Sequence, residues 1–134
     1  MRRLLLCLLA SGLPIACSSA PPDNGSKAVQ SERWATPVKH DANLYRIDDK
    51  LYRSEQPVAE DGEAIVKLGI QSVINLRFFD RNDDDHLKAH GLTLLNRPLL
   101  SWSIKPKEIA EILYLIEKQQ QNGAVLIHCY HGAD

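Results

Sequence analysis

The sequence has 134 residues, enough for one domain and too few for several. Hydrophobic residues make up 44% of the chain and charged residues 25%, which is typical of a globular protein and excludes a highly charged polar chain. The formal net charge of −1 argues against nucleic-acid binding by bulk electrostatics.

Residues 1–16 have the pattern of an export signal. Met-Arg-Arg is followed by the apolar stretch LLLCLLASGLPIA, which is too short to span a bilayer and has the length of a secretory signal. The stretch ends at Ala16-Cys17-Ser18, which resembles the lipobox of bacterial lipoproteins. We therefore expect lipidation at Cys17 and an exported, membrane-anchored protein facing the periplasm or the cell exterior. An ordinary signal peptide cut near Ala16 or Ala20 is the alternative.

Residues 17–42 differ in composition from the rest of the chain. Paired prolines, serines and a glycine in SSAPPDNGS cannot build a core. We expect a flexible tether over this range and a domain over 43–134.

The domain begins with two strands and a helix. Leu44–Ile47 and Leu51–Arg53 are short strand-like runs joined by a turn at Asp48-Asp49-Lys50. A helix is expected after Pro57, with Ala64, Ile65, Leu68 and Ile70 on one face and Gly69 at its end. QSVINLR predicts a buried strand, and the charged loop after it holds a short helix that ends at Gly91.

The rest of the domain continues the alternation of strands and helices. LTLLNRPLL predicts a strand stopped by Pro98, and AVLIHC predicts the last strand. The segment between them is the clearest helix, with Pro106 at its start and Gly123 at its end. Its apolar stripe is formed by Ile109, Ile112, Leu113 and Ile116. This order predicts an α/β fold with a largely parallel central sheet flanked by helices.

Cys129 is the one cysteine that remains after the signal and Cys17 are set aside. It lies at the C-terminal end of a predicted buried strand, the edge where open α/β sheets place their binding sites. Exported proteins normally pair their structural cysteines, so a lone cysteine there is either a buried apolar residue or a thiol kept for chemistry.

The loop after Cys129 suits an attack on an anion. Backbone N–H groups of a short loop can surround phosphate oxygens, and Gly132 permits the backbone angles that such a cradle needs. A thiolate at its centre can take the phosphoryl group and release it to water, which divides one difficult step into two.

HCYHGAD resembles the signature of the cysteine-dependent protein tyrosine and dual-specificity phosphatases, in particular a bacterial branch of the latter. Three upstream stretches, LYRSEQP, GIQSVINLR and RPLLSW, resemble that branch in the same order. The resemblance covers about residues 43–134. It implies a phosphatase-like fold and hydrolysis of phosphomonoesters on a phosphorylated protein or a small phosphoester through a phosphocysteine intermediate, without a metal or organic cofactor.

The resemblance also implies roles for the loop residues. Cys129 would be the nucleophile, and His128 would orient the loop. The backbone N–H groups of Tyr130, His131, Gly132, Ala133 and Asp134 would bind phosphate. In that family an arginine comes next, so we expect this chain to be a fragment that stops before it, lacks the last helices and is itself inactive.

The general acid is less well indicated. The loop PLLSWSIKP, which often carries an aspartate in related enzymes, has no carboxylate, and Glu108 and Asp80 are the candidates. Asp83 to Asp85 read as a solvated loop. Arg53 and Ser54 are expected to fasten the start of the domain against the sheet.

Other interpretations remain open at this stage. His128, Cys129, His131 and Asp134 are residue types that bind zinc or copper, but neighbouring residues on a strand point to opposite faces. A rhodanese-like sulfurtransferase also has a reactive cysteine after a strand. A non-catalytic phosphoprotein-binding module tethered to the membrane is the third alternative.

Overall fold

The computed structural model describes residues 35–79 and 83–132. Six strands form one mixed sheet: β1 (Thr36–Lys39), β2 (Leu44–Asp48), β3 (Leu51–Ser54), β4 (Ile70–Asn75), β5 (Thr93–Asn96) and β6 (Ala124–His128). Two α-helices are described, α1 (Gly62–Lys67) and α2 (Pro106–Gln119), together with 3-10 turns at His40–Ala42, Ala59–Asp61 and Asp85–His90. None of these helices is long and apolar enough to cross a membrane.

The strand order is β1-β2-β3-β6-β4-β5, and three of the five neighbouring pairs are parallel. The hairpin of β2 and β3 is antiparallel, and so is the pairing of β1 with β2. The α/β fold with a largely parallel sheet is therefore confirmed. β6 is flanked by parallel strands on both sides, which explains why AVLIH is almost continuously apolar.

Both faces of the sheet are covered. On one face, Leu44 and Leu126 of the sheet belong to a buried cluster with Ile65 of α1 and Leu87 of the turn Asp85–His90. The other face packs Ile74 and Val125 against Ile112 and Ile116 of α2. Gly91 ends its turn in the left-handed region at φ 76°, and Gly69, at φ 78°, lies between α1 and β4.

Several details differ from the sequence-based expectations. β1 forms at Thr36–Lys39, inside the range expected to be tether, because its backbone pairs with β2. Ile70 begins β4 and is not part of α1. In α2, Ile112 and Ile116 are buried. Ile109 and Leu113 are exposed, as measured within the described residues.

Candidate active site

Cys129 directly follows the C-terminal end of the central strand. His128 is in register with Ser54 of β3 on one side and with Asn75 of β4 on the other. The residue after it therefore lies at the middle of the sheet edge, as the sequence predicted.

The loop after β6 folds back over the sulfur of Cys129. The backbone N–H of Gly132 donates a hydrogen bond to Sγ at 3.1 Å, and Gly132 has a left-handed φ of 70°. Residues with a Cβ rarely adopt this φ, so glycine is favoured at position 132. The backbone N–H of Gly132 therefore places a hydrogen-bond donor on the inside of the loop, directed at the sulfur.

His128 is buried beneath the loop, with 2% of its surface exposed. Its Nε2 is 2.9 Å from Oδ2 of Asp84, and its Nδ1 is 3.1 Å from the carbonyl oxygen of Cys129. The ring thus lies between a carboxylate and the backbone of the nucleophile candidate. The two ring nitrogens face these oxygens rather than the sulfur, and the orienting role of His128 stays a prediction.

Asp84 corrects the expectation of a solvated acidic loop. It is 3% exposed, and its Oδ1 accepts a hydrogen bond from Gln56 at 2.6 Å. Gln56 also accepts a hydrogen bond from Arg77, which forms an ion pair with Asp83 at 2.7 Å. A run of polar contacts, buried between His128 and Asp84 and partly exposed at Gln56 and Arg77, therefore joins the segments after β3 and β4 to the base of the Cys129 loop. The pattern of residues in the charged segment after β4 did not predict that Asp84 is buried.

An apolar pocket of about 390 Å³ opens beside Cys129. It is lined by Leu76, Arg77, Phe78, Phe79, Leu99, Leu100, Ser101, Trp102, Ile104, Cys129 and Tyr130. Among the described residues, Arg77 is the one charged member of this lining, and its guanidinium lies 5.1 Å from the centre of the Tyr130 ring. Trp102 is 77% exposed, so it forms part of the rim rather than of the core.

The structure brings together only some of the residues singled out in the sequence. Glu108 does not line the pocket, because its Oε2 accepts the backbone N–H of Lys105 at 2.7 Å and caps α2. Asp80, Ala133, Asp134 and Cys17 lie outside the described residues. Within the described residues there is no group of three or more His, Cys, Asp or Glu side chains that could hold a metal ion.

The sheet topology and the cysteine loop at its edge have the architecture of cysteine-dependent phosphatases, which confirms the resemblance seen in the sequence. No protein-family model matches the chain. Its relatives are dual-specificity and tyrosine phosphatases, and they favour this class over the sulfurtransferase and the phosphoprotein-binding module.

The dual specificity protein phosphatase TpbA of Pseudomonas aeruginosa strain PAO1 is 30% identical over 105 residues, 78% of this chain. The chain spans 47% of the length of that relative. The crystal structure of P. aeruginosa TpbA matches with a TM-score of 0.70 at 29% identity, covering 77% of this chain and 63% of that one. A cysteine-to-serine variant of TpbA in complex with pTyr matches with a TM-score of 0.72 at 28% identity, covering 78% and 64%.

Proposed function

We propose that the complete protein containing this chain is a cysteine-dependent phosphatase with Cys129 as its nucleophile. The thiolate of Cys129 attacks phosphorus, the P–O bond to the ester oxygen breaks, and that oxygen leaves with a proton. Water then attacks the phosphocysteine, releases inorganic phosphate and returns the thiol. The loop N–H groups stabilise the charge that develops on the phosphoryl oxygens in both steps.

The observation that carries this proposal is the contact between the Gly132 N–H and Sγ of Cys129 at 3.1 Å, at the centre of the sheet edge. A structural cysteine packed as an apolar residue has no need of a donor aimed at its sulfur. Cys129 also lines the pocket, so its sulfur is within reach of a bound molecule.

The substrate we propose is a phosphotyrosine side chain. The pocket beside Cys129 is walled by Phe78, Phe79 and Trp102, which suit an aromatic ring, and the TpbA variant was solved with pTyr bound. The pocket lining contains no Asp or Glu among the described residues. A phenolate, with a conjugate-acid pKa of about 10, leaves with less acid assistance than the far more basic alkoxide of serine.

The test is hydrolysis of p-nitrophenyl phosphate by the complete protein, which vanadate should inhibit. Cys129→Ser should reduce kcat by at least about a thousandfold, because the hydroxyl is a far weaker nucleophile than a thiolate. Full activity in Cys129→Ser would overturn the cysteine mechanism.

Selectivity is tested with paired peptides that differ only in phosphotyrosine or phosphoserine. We expect kcat/KM to favour the phosphotyrosine peptide by about a hundredfold or more, since ring burial and leaving-group ability act in the same direction. Equal values for the two peptides would contradict the assignment of the pocket.

We also propose that the protein is exported and anchored to a membrane by a lipid on Cys17. The support is the Met-Arg-Arg start, the apolar stretch and the Ala16-Cys17-Ser18 sequence. Palmitate labelling of cells expressing the protein should label the wild type and not Cys17→Ala. A wild-type protein that takes up no label, with processing insensitive to globomycin, would overturn the anchor.

A further inference from the structure

Four of the five consecutive carbonyl groups from His128 to Gly132 accept a hydrogen bond from a residue outside this run. The backbone N–H of Leu76 donates to the carbonyl of His128 at 2.8 Å, and the N–H of Gln56 donates to that of Tyr130 at 3.2 Å. The carbonyl of Cys129 faces the His128 ring. When every carbonyl is engaged on one side of a loop, the N–H groups are left to face the other side.

The last two carbonyls of this run are held by side chains of the β2–β3 region. Arg53 of β3 donates from Nη1 to the carbonyl of Gly132 at 2.6 Å. Its guanidinium also stacks over the Tyr45 ring, with 4.3 Å from Cζ to the ring centre. Stacking and a short hydrogen bond fix the plane of the guanidinium, which a lysine ammonium would not reproduce.

Asn43 holds the neighbouring carbonyl. It comes directly after the turn His40–Ala42 with a left-handed φ of 44°, and its Nδ2 donates to the carbonyl of His131 at 2.7 Å. Asparagine is one of the few residues with a side chain that adopts this backbone conformation readily. The left-handed turn therefore directs an amide donor to the loop at a separation of 88 residues.

The loop also lies in direct contact with the end of β3. A Cβ placed on Gly132 would come within 2.6 Å of the backbone of Ser54 and Glu55. The loop and the end of β3 are therefore in close contact. Asn43 and Arg53 donate their hydrogen bonds across this contact.

We propose that Asn43 and Arg53 are positioning residues that hold the carbonyls of His131 and Gly132 outward, so that the loop N–H groups point at the phosphoryl group. They do not touch the substrate, and this role rests on the proposed phosphatase function. It assigns to LYRSEQP a task in oxyanion binding that goes beyond fastening the start of the domain.

The experiment measures vanadate binding by isothermal titration calorimetry in the complete protein, beside kcat and KM for p-nitrophenyl phosphate. The variants are Arg53→Met, Arg53→Lys and Asn43→Gly, which keeps the left-handed backbone while removing the donor. Arg46→Met is the matched control, because Arg46 lies on the adjacent strand β2, is exposed and pairs with Asp49 at 3.7 Å.

We expect Arg53→Met to weaken vanadate binding by about tenfold or more and to lower kcat/KM in parallel, with Arg53→Lys in between and Asn43→Gly affected by at least about threefold. Arg46→Met should stay within about twofold of the wild type. A substitution that only reduced the fraction of folded protein would lower the number of vanadate-binding sites per chain and kcat. It would leave the vanadate affinity and KM unchanged.

Vanadate affinity in Arg53→Met and Asn43→Gly that matches Arg46→Met would overturn the positioning role. A wild-type protein that binds vanadate but does not turn over phosphoester would remove the phosphatase proposal, and the affinity series would still decide the role of Asn43 and Arg53. A wild-type protein that binds no vanadate would overturn both.

Discussion

The two flanks of the Cys129 loop are built from different chemistry. Toward β3, the loop meets polar donors from Asn43 and Arg53 at 2.6–2.7 Å and leaves no room for a Cβ on Gly132. Toward the pocket, it faces Phe79 and Trp102, which are 66% and 77% exposed. Close polar contacts fix the backbone on one flank, and the apolar pocket leaves the other flank open, so one loop can be rigid and accessible at once.

The tight flank is tested most strongly by Gly132→Ala. The new methyl group would have to displace the backbone of Ser54, and a misplacement of about 1 Å at a reacting group costs roughly a hundredfold in rate. We therefore expect kcat/KM of the complete protein to fall by about a hundredfold.

Gly91→Ala is the matched control for this substitution. Gly91 has a similar φ of 76° but open space around its Cβ position, so it carries only the cost of a left-handed alanine, about 1–2 kcal/mol of stability. Equal kinetics in the two variants would show that the close approach to β3 does not matter.

The support beneath the loop is tested by Asp84→Asn. The two carboxylate oxygens of Asp84 face Nε2 of His128 and Nε2 of Gln56, whereas an amide has only one acceptor oxygen. One of these contacts is therefore lost, and a buried polar group left without its partner costs about 1–3 kcal/mol. Urea unfolding of the complete protein should show this loss of stability.

Asp85→Asn is the control for the neighbouring carboxylate. Asp85 is exposed and pairs with Lys88 on the surface, so its loss should change stability by less than about 0.5 kcal/mol. Equal effects of Asp84→Asn and Asp85→Asn would contradict the assignment of Asp84 as a buried partner of His128.

The open flank is tested by Trp102→Ala. We expect KM for an aryl phosphate to rise about threefold to tenfold, because a ring against the substrate is lost. Stability should change by less than about 0.5 kcal/mol, since the side chain is largely exposed. Tyr114→Ala, at an exposed aromatic residue on α2 outside the pocket lining, should leave KM unchanged.

The smallest effects are expected at two ion pairs outside the loop, and they depend on pH. A hydrogen bond from Lys39 to Asp61 raises the pKa of Lys39 above 10.5, so the stability from this pair is present below pH 10.5 and is lost as pH rises through the folded pKa. The pair of Glu63 with Lys67 lowers the pKa of Glu63 below 4.5, so its stability is present above pH 4.5 and is lost on acidification through the folded value.

Thermal melts across pH should therefore show that the loss of stability in Lys39→Met vanishes at alkaline pH. The loss of stability in Glu63→Gln should vanish at acidic pH. A deficit of either variant that is independent of pH would assign it to packing.

Local pattern predicted most of the fold, and contacts distant in sequence account for the rest. Apolar runs and flanking glycines predicted β4, α2 and β6, because periodicity and end signals are local properties. β1 escaped prediction because its pairing with β2, rather than its composition, makes it a strand.

The same division holds in the site. The short stretch HCYHG identified the nucleophile candidate and its loop. The contact between His128 and Asp84 spans 44 residues, and that between Arg53 and Gly132 spans 79. No sequence spacing encodes such contacts, so an acidic residue that reads as solvated proves to be buried beneath the loop.

The central claim is that Cys129 carries the phosphoryl group. The most direct measurement is to quench the complete protein during turnover of an aryl phosphate at low pH and to locate phosphate on its peptides by mass spectrometry. The account predicts a phosphorylated Cys129 in the wild type and no modified peptide in Cys129→Ser. Turnover with phosphate on another residue, or with undiminished rate in Cys129→Ser, would contradict it.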